Sequence, residues 1–255
     1  MAPDRKTRPR QLMSRERPAL LYAIGDVHGC LDELHELEAR IVEDGEGTEG
    51  AKWIVCLGDY VDRGPHSAGV LDHLIAPAPM GFQRICLSGN HDAAMLAAIT
   101  TLTGMPDWLS FGGDATLRSY GLSDTQIAAL LEPEEAERIR HELLSAYIPG
   151  EHVRFLNELA VTFSVPGYVF VHAGLRPGVA LNKQREDDLL WIRDEFLNVP
   201  YDHGAMVVHG HTPVRAPAVL SYRIGTDTAC YMTGKLTALR IDARGSTRFL
   251  QTAGW

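Results

Sequence analysis

Three times within its first hundred residues the chain runs through one local pattern: a short apolar segment, a turn rich in glycine and polar side chains, then apolar residues at helical spacing. Residues 19–24 lead into Gly25-Asp26-Val27-His28-Gly29. Residues 53–57 lead into Gly58-Asp59-Tyr60-Val61-Asp62-Arg63-Gly64, and residues 82–88 into Gly89-Asn90-His91-Asp92. Apolar runs this short, bounded by turn residues, read as buried strands. Helical spacing follows over 31–42, over 70–74 behind Pro65, and over 93–98. Strand–turn–helix units in succession imply right-handed crossovers and a mostly parallel sheet. All three turns then lie at the carboxyl ends of strands, where open α/β sheets hold their ligands.

The second turn is an odd place for charge. Two carboxylates three residues apart, followed by an arginine, close a buried strand. Buried charges need partners, and a metal ion or an anionic substrate supplies one. A solvated turn with a capping aspartate would explain this turn alone, but the rest of the chain argues otherwise. Strand-like runs at 160–165 and 168–171, joined at Pro166-Gly167, end in His172-Ala173-Gly174. Another at 206–208 leads into His209-Gly210-His211-Thr212. Asp26, His28, Asp59, Asn90, His172 and His211 thus close strands in five separate segments. Carboxylate, imidazole and amide oxygen together suit manganese, iron or zinc. Six ligands are too many for one catalytic ion with an open position and suit two divalent ions, the arrangement that clamps both oxygens of an in-line phosphoryl displacement.

At 255 residues the chain is long enough for one domain with an insertion. Residues 101–157 read as a mostly helical insertion: Gly112-Gly113 and Gly121 punctuate a loop, Ser123 and Gln126 form a capping-box pattern, and Pro133 opens a helix. Beta-like runs at 218–224, 236–242 and 247–251 make the second half strand-rich without intervening helices, which suggests a second sheet packed on the first. Six basic against two acidic residues give residues 1–18 a net +4, so the remainder carries −13 of a total of −9. This arm reads as a flexible leader, with the domain over 19–255. An acidic body argues against nucleic acid as a partner. No apolar run has the roughly 20 residues of a membrane helix, and no secretory leader is evident. Cys30, Cys56, Cys86 and Cys230 are scattered without a CxxC pair, which fits reduced thiols and a cytoplasmic location.

Gly-Asp-x-His-Gly at 25–29, Gly-Asp-x-Val-Asp-Arg-Gly at 58–64, Gly-Asn-His-Asp at 89–92, His-Ala-Gly at 172–174 and Gly-His-Thr at 210–212 together resemble the calcineurin-like metallophosphoesterase superfamily. Within it they resemble the bacterial phosphoprotein (serine/threonine) phosphatases, over about residues 20–243. The resemblance implies an α/β (α+β) fold of two packed mixed sheets flanked by helices, the αββα sandwich. It implies two divalent ions, manganese first, with Asp26 and His28 on one, Asp59 bridging, and Asn90, His172 and His211 completing the second. A hydroxide bridging the ions would attack in line. Arg63 and, in Trp191-Ile192-Arg193-Asp194-Glu195, Arg193 would bind phosphate oxygens. His91 would protonate the leaving oxygen, with Asp62 orienting the imidazole and favouring its charged form. His209, two residues from His211, would face the same way on an extended strand but reads as packing. Asp227 recurs in such proteins without a role that chemistry assigns.

The resemblance favours a metal-dependent phosphoserine/phosphothreonine protein phosphatase acting on phosphorylated protein or small phosphoesters. It implies a free-standing catalytic chain with no regulatory subunit. The alternative is a symmetrical bis(5'-nucleosyl)-tetraphosphatase. Those hydrolases carry alanine where this chain has Asp62, so Asp62 discriminates against them. A non-catalytic binding module would show a degraded ligand position, and none is degraded.

Overall fold

The computed structural model describes residues 10–102, 104–132 and 137–254. Residues 1–9 of the expected basic arm lie outside that range, as does Pro133. The remainder of the arm departs from expectation: Gln11–Met13 form strand β1, in parallel register with β5 (Thr162–Val165). Leu12 packs against the core between the sheets, and that contact outweighs the polar composition around it.

The three apolar runs become β2 (Leu20–Ile24), β3 (Lys52–Cys56) and β4 (Phe82–Cys86), parallel neighbours in one sheet. Period-2 alternation sets the layers. Leu21, Ala23 and Val55 point to one side and pack with Phe163, Phe170, Val208 and Leu239 between the two sheets. Leu20, Tyr22, Ile24 and Ile54 point to the other side, against α1 (Leu31–Asp44), α2 (Ser67–Ile75) and α3 (Asn90–Thr100). Each fully buried leucine, isoleucine or valine among them contributes about 1.5–3 kcal/mol.

Helices fill the chain between β4 and β5: α4 (Met105–Trp108), a π-helical turn at Leu109–Gly113, α5 (Asp114–Ser119), α6 (Asp124–Ala129), α7 (Glu137–Tyr147) and α8 (Gly150–Glu158). The Ser–x–x–Gln pattern caps α6, with Ser123 Oγ accepting from the Gln126 amide (3.3 Å) and Gln126 Oε1 accepting from the Ser123 amide (2.9 Å).

The second sheet has the order β1-β5-β6-β7-β9-β8, with β6 Tyr168–Val171, β7 Met206–His209, β8 Ala218–Val219 and β9 Arg223–Gly225. Three expectations are corrected here. The run 218–224 is a broken hairpin, β8 antiparallel to β9. Helices α9 (Glu186–Trp191) and α10 (Asp194–Leu197) do intervene, because β6 and β7 are parallel and a parallel pair needs a crossover. Finally, β10 (Thr237–Asp242) and β11 (Thr247–Gln251) join the first sheet, giving the order β11-β10-β2-β3-β4. Alternation marks a half-buried strand without saying which partner it takes. Val161, Val169, Val171 and Val207 cover the outer face of the second sheet with Leu189 and Phe196, completing four layers. The fold is the expected mixed-sheet sandwich flanked by helices. Among the described residues no helix is long and apolar enough to cross a membrane.

Candidate active site

Every candidate residue lies just past a strand end or at a helix start. Asp26 and His28 follow β2, Asp59, Asp62 and Arg63 follow β3, and Asn90 and His91 open α3. His172 follows β6, His211 follows β7, and Arg193 caps α10. Parallel strands ending at the same level bring these segments together between the two sheets. His28, Asp59, Asp62, Arg63 and His211 all hold positive φ, between 45° and 74°. That region is unfavourable for residues with a Cβ, and its clustering is typical of functional turns.

Backbone hydrogen bonds decide which nitrogen of each ring faces the centre. His28 donates Nδ1–H to Val61 O (2.8 Å) and His172 donates Nδ1–H to Leu57 O (3.0 Å), so both present an Nε2 lone pair. Those lone pairs face the same oxygen, Asp59 Oδ2, at 3.5 and 3.4 Å. Asn90 Oδ1 lies 2.9 Å from His172 Nε2 and 2.8 Å from His211 Nδ1. The His172 Nε2 lone pair, opposed to the Asn90 and Asp59 oxygens at such distances, is repelled unless a cation lies among them, so the donor set fits divalent metal ions. Two groups of donors share Asp59: His28–Asp59–His91 and Asp59–His172–His211. The first contains His91, expected as an acid, while Asp26 accepts the His211 amide N–H (3.0 and 3.1 Å) beside the cluster.

The protonation tendencies agree. Burial, then the nearby Asp227 and Asp59, holds Asp26 well above the usual carboxylate range; burial, then Asp92, does the same to Asp59. Burial lowers His28 and His172 well below the ordinary imidazole value, and with Arg193 nearby it brings His211 to about 3. Neutral rings of this kind are able to act as ligands, and bound cations would return the carboxylates to their charged form. His91 departs from expectation. Its Asp62 partner pulls the pKa up, yet burial outweighs that and the net shift is downward.

The expected dyad is formed, with His91 Nδ1–H donating to Asp62 Oδ2 at 2.7 Å. Arg63 donates to His28 Nε2 (3.1 Å) and His91 Nε2 (3.0 Å), its guanidinium 4.7 Å from the Tyr231 ring. Arg193 donates Nε–H to His211 Nε2 (3.0 Å) and is exposed. His209 belongs elsewhere: it packs edge-on against Phe196 (5.1 Å) and meets Arg223 (3.2 Å). Because β7 ends at His209 and His211 has φ 65°, strand alternation does not carry over to His211.

Several participants escaped the sequence reading. Asp92 accepts the amides of Asp59, Tyr60 and Gly89 (2.8–2.9 Å) and so ties the second turn to the third. Trp108 and Thr116 hydrogen-bond Asp62, and Phe111 lies edge-on to His91 at 4.8 Å. Tyr231 supports both Arg63 and His28. Asp92 carried a signal in its place next to Asn90 and His91, and Trp108, Gly112-Gly113 and Thr116 lie in a run that resembles bacterial phosphatases, but nothing local pointed to these contacts.

The sequence profile described as calcineurin-like phosphoesterase matches residues 20–244. The asymmetrical bis(5'-nucleosyl)-tetraphosphatase PrpE of Oceanobacillus iheyensis is 27% identical over 237 residues, covering 85% of this chain and 86% of that protein. Among solved structures, one provisionally named a diadenosine tetraphosphatase superposes with a TM-score of 0.66 at 23% identity, covering 97% and 99% of the two chains. The cold-active protein-tyrosine phosphatase of a psychrophilic Shewanella superposes at 0.57 with 17% identity, over 95% and 82%. These relatives shift the emphasis: the sequence put a serine/threonine phosphatase first and a symmetrical tetraphosphatase second.

Proposed function

The chain belongs to the calcineurin-like phosphoesterase family, and from that premise we propose that it hydrolyses dinucleoside tetraphosphates, splitting the bridge unequally. The observation that carries the chemistry is Asp59 Oδ2 lying 3.4–4.0 Å from the Nε2 atoms of His28, His172 and His91, a shared carboxylate between two donor groups. Asp26, His28, Asp59, Asn90, His172 and His211 would hold two divalent ions. When bound, such ions polarise phosphoryl oxygens and activate water for in-line attack. Arg63 and Arg193, both directed at imidazoles of the centre, would turn their forked donors to phosphate oxygens. The relatives' name supports the substrate.

A second reading, a phosphoserine/phosphothreonine phosphatase, is favoured by the His91–Asp62 pair. An alkoxide departs poorly unless it is protonated, whereas a polyphosphate leaving group spreads its charge and needs the acid less. The test is turnover of the metal-loaded chain on diadenosine tetraphosphate, phosphoserine and phosphothreonine peptides and aryl phosphates, with product identification. We expect the highest kcat/KM on the dinucleotide, with a mononucleotide and a nucleoside triphosphate as products. Two equal halves, or a higher value on a phosphopeptide, would overturn the leading reading.

A further inference from the structure

The carboxylate of Asp62 is fully buried, and both of its oxygens are spoken for. Oδ2 accepts from His91 Nδ1 (2.7 Å) and Oδ1 from the Thr116 hydroxyl (2.7 Å), while the Trp108 indole N–H lies 3.0 Å from each. The Asp62 amide in turn donates to Thr116 Oγ1 (2.8 Å). Trp108 and Thr116 are themselves fully buried, on α4 and α5 of the helical insertion. Between them, Gly112 O accepts the Arg63 amide (3.2 Å) and Phe111 sits edge-on to His91. One stretch of nine residues, 108–116, therefore contacts Asp62, Arg63 and His91 together.

The chemistry of these donors is selective. A buried carboxylate that needed only neutralising had a guanidinium available on the next residue, but Arg63 is turned to His28 and His91 Nε2. Asp62 is instead satisfied by an indole N–H and a hydroxyl. Both are neutral, and the indole has no acceptor lone pair, so it can never take the proton. Asp62 thus holds the ring through its Nδ1–H, which leaves Nε2, the nitrogen that Arg63 meets, as the one facing the centre.

We propose that the segment 108–116 positions the leaving-group acid: Trp108 and Thr116 fix the Asp62 carboxylate and, through it, the orientation of the His91 imidazole. The inference rests on the reading of His91 as that acid. The insertion would then set how poor a leaving group the enzyme tolerates, in addition to any part in substrate access.

The test is the dependence of kcat on leaving group, measured on the metal-loaded full chain with aryl phosphates whose phenols become steadily less acidic. Trp108→Phe keeps an aromatic side chain, smaller than the indole, and removes the N–H. Thr116→Val removes the hydroxyl, and Thr116→Ser keeps it. A general acid supplies about 10²–10⁴ in rate, so losing part of its alignment should slow the poorest leaving group about tenfold and the best less than about threefold. KM and metal content should stay within about twofold, and Thr116→Ser should restore the shallow dependence. Equal slowing across the series, or Thr116→Ser behaving like Thr116→Val, would overturn the proposal and leave the residues merely structural. His91→Ala separates the two claims. If it slows all members equally, the acid reading fails. If it is selective and Trp108→Phe and Thr116→Val are not, only the positioning claim fails. Should Trp108→Phe fail to fold, the valine and serine variants decide by the same ratio.

Discussion

Gly89 shows how little room the centre leaves at the level of single residues. Its amide donates to Asp92 Oδ2 (2.8 Å), and a Cβ added there would overlap both the carboxylate and the amide of Asp59. The positive φ of Asp59 itself (53°) is held by the Asp92 carboxylate, which takes the Asp59 and Tyr60 amides. Left-handed backbone costs an ordinary residue about 1–2 kcal/mol, so the turn persists only while those bonds hold it. Gly89→Ala should therefore destabilise the fold by about 1–3 kcal/mol, the usual cost of overpacking. It should also weaken metal binding about 10–100-fold, the usual cost of disturbing what orients a ligand. Urea denaturation and calorimetric metal titration check the two effects, and wild-type metal affinity would refute the proposed role of Asp59.

At the level of elements, α1, α2 and β4 are joined by one buried ion cluster. Glu38 on α1 accepts from His73 of α2 (2.7 Å) and from the Arg84 guanidinium of β4 (2.8 Å). Arg84 also donates to the last carbonyls of α2, those of His73 (3.1 Å) and Ala76 (3.0 Å). Burial pushes the Glu38 carboxyl up, but the His73 hydrogen bond and the Arg84 charge outweigh it, and the pKa ends below the reference 4.5. In the acid window the unfolded chain then binds more protons than the folded one at this site. The stabilisation is complete above the unfolded value and is lost as pH falls through the folded one. Glu38→Ala should cost about 3 kcal/mol at neutral pH, the low end for a broken buried pair, since Arg84 keeps its carbonyl partners. The gap between wild type and Glu38→Gln in urea unfolding should narrow on acidification below about pH 4.5. A gap that widens would contradict the assignment.

The whole molecule is two sheets meeting at the candidate centre. Asp26, Asp59 and Asn90 come from the ends of β2, β3 and β4 in one sheet, and His172 and His211 from the ends of β6 and β7 in the other. Ions held by these residues would tie the sheets together, so metal binding should be a global stabiliser. An ion at a free concentration of 100 times its Kd adds about 2.7 kcal/mol, which for a chain of this size shifts Tm by roughly 5–10 °C. A chelator should lower Tm by about that much and added metal should restore it, as followed by calorimetry. An unchanged Tm would count against ligands drawn from both sheets.

The strand ends and their donors were legible in the amino-acid sequence because the signal is local. An apolar run, a glycine and a polar residue sit within a few positions of each other, and burying charge there demands a partner. The fold class followed, since strand–turn–helix units leave few ways to connect. Tertiary structure decided what no local pattern contains. It sent β10 and β11 back to the first sheet, since alternation reports a half-buried strand and not its neighbour. It turned β7 at His209, which separated His211 from the ring two residues before it. It also brought Trp108 and Thr116 to Asp62 across 46 and 54 residues of chain, with an indole and a hydroxyl that carry no catalytic signature of their own. Asp62 announced itself in sequence as a buried charge. Only the folded chain brings an indole N–H and a hydroxyl onto the carboxylate that accepts from His91.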